Sequence, residues 1–206
     1  MQYHLCSIRL RPILSGLVIY SIILLAAGLK NNKGALITDA LGKPADPFQF
    51  GAGHLRPTKA ADPGLIYDAS YTDYLMYLCS RGVTNADPSF KCPQVLPKTN
   101  DLNYPSVAID KLNGTVTVTR TVTNVGKRRS TYFASVKPPR GYKVKILPSI
   151  LKFRHRGQKR SFKITVEKDR NIMFSSLENV GKYEFGWLTW FDGIHSVRSP
   201  MVVSSA

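Results

Sequence analysis

The chain has 206 residues, enough for one ordinary hydrophobic core, and its 43% apolar and 20% charged content excludes wholesale disorder. Its charge is +16, from 29 Lys and Arg against 13 Asp and Glu. Residues 1–98 carry 10 basic and 6 acidic side chains, for +4, whereas residues 99–206 carry 19 and 7, for +12, so the second half would attract polyanions. No motif of a nucleic-acid reader accompanies that charge, and nucleic acid is not an expected partner.

The first element is an uncharged run, ILSGLVIYSIILLAAGL at 13–29, preceded by Arg9 and Arg11 and ended by Lys30. It reads as an export signal, as a membrane anchor at the lower length limit, or as a piece of buried core helix. Residues 33–64 are punctuated by Pro44, Pro47, Pro57 and Pro63 and are predicted as loop and turn. SYTDYLMYLCSR at 70–81 is predicted as a short helix, capped by Ser70 or Thr72, with Tyr74, Leu75 and Leu78 on one face and Gly82 as its stop. Residues 84–98 form a proline-punctuated loop.

From Tyr104 the pattern changes to period two. TVTVTRTVTNV at 115–125 sets Val116, Val118 and Val122 on one face and threonines on the other, with Arg120 interrupting the apolar face. YKVKI at 142–146 and SFKITVE at 161–167 alternate in the same way, and YEFGWLTWF at 183–191 is apolar on both faces, as suits a central strand. Turn signals fall at Asn113-Gly114, Asn124 to Gly126, Pro138-Pro139 with Gly141, Gly157 and Asp192-Gly193. About seven short strands with almost no helix signal predict a mainly β fold: an antiparallel two-sheet sandwich of the fibronectin type III kind.

Three cysteines are too few for a disulfide scaffold and do not fit a zinc pattern, and neither cofactor nor metal is expected. In an exported chain Cys79 and Cys92 could pair across a short loop, leaving Cys6 alone. Asn113-Gly-Thr115 is an N-glycosylation sequon at a predicted hairpin turn. Two cationic clusters, Lys127-Arg128-Arg129 and Arg154, Arg156, Lys159 and Arg160, could contact a polyanion, or could solubilise loops and strand faces.

From about Gly34 onward the chain resembles plant-type subtilisin-like serine proteases, or subtilases. The resemblance is carried by GKPADPFQFGAGHLRP (42–57), ADPGLIYD (61–68), DYLMYLC (73–79) and LNYPSVAI (102–109). It continues in TRTVTNVG (119–126), STYFASV (130–136) and KYEFGWLTWFDGIHSVRSP (182–200). The resemblance implies three parts: residues 1–32, signal-like, anchor-like or foreign to the family; residues 33–98, the loop-rich end of a catalytic domain with its linker; and residues 99–206, a fibronectin type III-like domain. It also implies an extracellular, glycosylated setting.

Subtilisin chemistry needs a serine nucleophile, a histidine base, an orienting aspartate and an oxyanion-hole donor. Neither a Gly-Thr-Ser-Met-type turn nor a His-Gly-Thr-type motif is present, and none of His4, His54, His155 and His195 is followed by Gly-Thr. No catalytic residue is therefore assigned. The expectation is a truncated, non-catalytic relative retaining an accessory or interaction domain, with a subtilase catalytic domain or another protein as partner. The alternatives are an incomplete form of an active secreted endopeptidase and a basic module for acidic cell-wall polysaccharide. Loss of the catalytic body should also leave Phe48, Phe50 and Ile66 exposed unless the sandwich or a partner covers them.

Overall fold

The structure is a computed structural model and describes residues 16–169 and 182–206. Cys6, Arg9, Arg11 and the first residues of the apolar run lie outside the described residues. The elements in chain order are α1 (Gly16–Ala26), α2 (Pro47–Phe50), α3 (Pro57–Ala61), β1 (Leu65–Tyr67) and α4 (Tyr71–Ser80). A single 3-10 turn (Thr99–Asp101) precedes β2 (Val107–Leu112), β3 (Thr115–Asn124), β4 (Ser130–Lys137) and β5 (Tyr142–Leu147). β6 (Ile150–Phe153), β7 (Lys159–Lys168), β8 (Tyr183–Phe191) and β9 (Ser196–Ser205) complete the chain.

The strands form two facing sheets, ordered β1-β3-β7-β5 and β2-β9-β8-β4-β6. All pairings are antiparallel except β2 with β9, which run parallel. β8 is the middle strand of its sheet; Leu188 and Trp190 on its inner face are buried, and Phe48 packs on Tyr183 and Phe185 of its outer face. The alternation seen in sequence places Val118, Val122, Phe162, Ile164 and Val166 inward from one sheet, and Tyr132, Leu151, Leu188, Trp190, Met201 and Val203 inward from the other. Phe162 and Trp190 meet edge to face across the interior at 5.0 Å between ring centres. Burial of each such side chain stabilises the sandwich by roughly 1.5–3 kcal/mol.

Two expectations need correction. The segment 33–64 is not all loop: Pro47 and Pro57 open the short helices α2 and α3, where a missing N–H costs nothing, and Asp46 caps α2 reciprocally with Gln49. The Asn113-Gly114 turn is not a hairpin. β2 and β3 lie in different sheets, so this two-residue link carries the chain from one sheet to the other. Among the described links between consecutive strands, only that between β8 and β9 closes a hairpin.

The boundary at residue 99 is also blurred in space. β1 precedes it by some thirty residues, yet Leu65 and Tyr67 are fully buried in the sandwich core and β1 pairs with the end of β3. Beyond β1, the same edge of β3 is covered by side chains: Thr119 N–H donates to Asp101 Oδ1 (2.9 Å), and Thr121 N–H to Asn103 Oδ1 (2.8 Å). That protects an otherwise open strand edge. Arg120, which interrupts the apolar face, is 5% exposed and donates to the carbonyls of Asn100, Tyr104, Ser106 and Thr119. It fastens the chain entering β2 to the sheet.

The apolar run at the N-terminus is a packed helix where it is described. Its described part is α1, Gly16–Ala26. Among the described residues no helix is long and apolar enough to cross a membrane. Ile22, Leu25 and Ala26 are instead buried, Ile22 against Ile66 of β1, and Ser21 Oγ accepts a hydrogen bond from Tyr67 N–H (3.3 Å).

Candidate interaction site

Two surfaces meet at one end of the molecule. The first is apolar. α1, α3 and the β3–β4 turn surround an open trough of about 520 Å³, with Ile22, Ile23, Leu55, Ala60, Ile66 and Val125 among its lining. Ile23 and Leu55 remain 39% and 44% exposed there, so apolar area stays in water that a partner would remove. Of the side chains expected to be uncovered, Ile66 is buried and Phe50 half-buried. Phe48 is exposed but rests edge-on against Tyr183 and Phe185 of β8.

The second surface is cationic. Lys127, Arg128 and Arg129 follow β3, and Arg154 and Arg156 lie between β6 and β7; all five are exposed. Buried Asn124 holds these two loops together. Its Nδ2 donates to the carbonyls of Lys127 (2.8 Å) and His155 (3.4 Å), its backbone N–H donates to Gln158 O, and its carbonyl accepts from Gly157 N–H. Lys127 and Arg156 both border the apolar trough. Among the described residues none of these five cations pairs with a carboxylate. Lys159 and Arg160 are engaged elsewhere: Lys159 Nζ pairs with Asp68 at 2.6 Å, and Arg160 Nε donates to Lys152 O at 3.1 Å. The two loops joined by Asn124 thus carry five of the seven expected cations, and the other two are engaged in intramolecular ties.

Three further sites can be placed. Cys79, at the end of α4, is joined to Cys92, with Cα atoms 5.7 Å apart, and closes the loop after that helix. Ser70 caps α4, exchanging hydrogen bonds with Asp73. Asn113 is exposed on the turn between the sheets.

Of the described histidines, His54 and His155 are exposed, whereas His195 is buried between Asp192, Asp62 and Tyr132. None of the described contacts of its ring goes to a serine hydroxyl. Burial pushes the His195 pKa down, but the hydrogen bond to Asp192 and the nearby Asp62 outweigh it and leave it raised. Sequence reading missed this arrangement. Asp62 and His195 are 133 positions apart, and only the fold brings them together.

Comparison with known proteins adds ancestry to this geometry. The family model described as "Fibronectin type-III domain" matches residues 101–203. Subtilisin-like protease SBT5.6 of Arabidopsis thaliana is 51% identical over 96% of this chain and 25% of its own length. Subtilisin-like protease SBT5.5 of the same plant is 47% identical over 95% of the chain and 24% of its own length. Subtilisin-like protease Glyma18g48580 of Glycine max is 42% identical over 93% and 24%. The chain therefore spans about a quarter of the length of these relatives. A match over 96% of the chain also takes in most of residues 1–32. With its sandwich matched as a fibronectin type-III domain and nearly its whole length aligned to plant proteases, the chain belongs to the plant subtilisin-like protease family, as the stretch that carries that domain.

Proposed function

We propose that this chain works as a non-catalytic accessory module, extracellular like the family it resembles, that docks on a protein body such as a subtilase catalytic domain. The observation that carries this reading is the open trough between α1, α3 and the β3–β4 turn, whose exposed Ile23 and Leu55 would be covered by docking. The missing serine and histidine motifs support the non-catalytic half of the reading, because nucleophile and base act as a unit. A peptidase assay with broad peptide substrates, combined with a serine-directed covalent probe, tests it. No turnover and no labelling are expected, and labelling at any serine would overturn it. Docking is tested by titrating the chain against a separately produced subtilase catalytic domain: Ile23→Asp with Leu55→Asp should weaken binding, and unchanged binding would remove the trough from the interface.

A second reading is favoured by the Asn124 tie. The two cationic loops it joins would form one rim for an acidic polysaccharide, with Lys127, Arg128, Arg129, Arg154 and Arg156 as contacts. Binding to polygalacturonate should fall steeply between low and physiological salt. Affinity insensitive to salt would exclude an electrostatic mode.

A further inference from the structure

His195 stands where the part of the chain before residue 99 meets the sandwich. It is 6% exposed, with Nδ1 2.8 Å from Asp192 Oδ2 and Nε2 3.1 Å from Asp62 Oδ2. Asp192 opens the turn between β8 and β9, whereas Asp62 lies between α3 and β1. Gly64 packs directly on the ring, in a left-handed conformation (φ 74°) and at a distance that leaves no room for a Cβ. Gly64 is in turn held by the turn after β3: Val125 and Gly126 N–H both donate to its carbonyl, at 2.9 and 3.1 Å.

We propose that His195 is a proton-operated latch. As an imidazolium it ties the segment from α3 to β1 onto the β8–β9 turn, and loss of the proton from Nε2 frees Asp62 and loosens that segment. This goes beyond the accessory role above and does not depend on it.

The asymmetry of the two carboxylates sets which contact breaks. Nδ1 is hydrogen-bonded to Asp192, whereas Nε2 meets Asp62 in a charge contact without hydrogen-bond alignment, so the hold on Asp62 exists only while the ring is an imidazolium. Asp192 is fixed in place because its Oδ1 also accepts the N–H groups of Ile194 (2.9 Å) and His195 (2.6 Å). The Nδ1 proton therefore stays. Asp62 has a side chain 67% exposed and rehydrates readily. After deprotonation Nε2 turns a lone pair towards that carboxylate, and the contact becomes repulsive. Among the described residues, the other titratable groups placed beside the ring are the Tyr132 hydroxyl, 3.5 Å from Nδ1, and Lys59 across a small cavity. The flanking aspartates hold the His195 pKa above its ordinary value. The stabilisation is therefore fully present below the ordinary histidine range and is lost as pH rises through the raised value. The latch is shut in acid and opens towards alkaline pH.

Nitrogen-15 correlated NMR of the imidazoles in the full chain reads this directly, with exposed His54 and His155 as internal references. His195 should titrate above the ordinary histidine range, and its neutral form should carry the proton on Nδ1. Exchange of the Val125 and Gly126 amides, corrected for intrinsic base catalysis, should quicken as His195 deprotonates. Asp62→Asn, a change at an exposed side chain, should shift the His195 midpoint down and flatten that pH dependence. His195→Gln, which carries no proton to lose, should show the fast exchange at every pH while the β3–β7 amides stay protected. A neutral ring protonated on Nε2, an unchanged midpoint in Asp62→Asn, or exchange independent of pH in the natural chain would each overturn the latch.

Discussion

The sandwich and the segment before it handle apolar surface in opposite ways. Residues 107–205 bury their side chains against each other, sheet facing sheet, and make nearly all of the main core themselves. Among the described side chains, the segment before residue 99 forms a small cluster, Ile22 with Ile66, and lends Leu25, Leu65 and Tyr67 to the sandwich. Besides the β1–β3 pairing and the contacts of Asp62 and Gly64 described above, its ties include single polar or aromatic contacts: Asn103 to Asp68 O, Lys159 to Asp68, Arg198 to Ala52 O, Phe48 on β8. One region is a fold. The other is a covering that uses the fold as its template, and the difference predicts which changes should be global and which local.

The largest effect belongs to the shared core. Phe162→Ala removes the ring packed on Trp190 and should cost about 3–5 kcal/mol. Denaturant unfolding should show both regions lost in one transition; survival of the segment alone would break the comparison. Arg120→Ala comes next. It leaves half-buried carbonyls at Asn100, Tyr104 and Ser106 without this donor, at a cost of roughly 1–3 kcal/mol. Hydrogen exchange should rise first around residues 100–106. Tyr67→Phe deletes the bond from its hydroxyl to Ser199 (2.8 Å), a loss of about 1 kcal/mol. Proteolysis should then release the segment around β1 before the β8–β9 hairpin loosens. Smallest of all, Lys127→Ala with Arg128→Ala should move the thermal midpoint little, since exposed changes away from such features stay within about 0.5 kcal/mol. A large shift would mean that the cationic rim is structural.

The strands were legible because period two is imposed by the pleat itself, and it survives in β3, β5, β7 and β8 as alternating burial. Their pairing was not. A dipeptide such as Asn113-Gly114 records that the chain turns, but not whether it returns to the same sheet, and here it changes sheets. β1 escaped notice for a related reason: three residues, Leu65 to Tyr67, are too few to show a period, and all three are buried. Arg120 was visible as an anomaly, but its acceptors are main-chain carbonyls, which carry no side-chain signature. The basic clusters were readable as two runs. That the two loops are tied together depends on Asn124, an unremarkable letter in a turn. Family motifs supplied the ancestry that periodicity alone could not.

The passage of the chain from sheet to sheet at each described link but the last has a kinetic consequence. Neighbours in sequence are seldom neighbours in a sheet, so early hairpins have little to offer as nuclei and most pairings must close long loops first. β2, near the start of the sandwich, completes its sheet only by lying beside β9, the last strand made. During synthesis the sheet that holds β2 therefore stays unfinished until β9 has emerged.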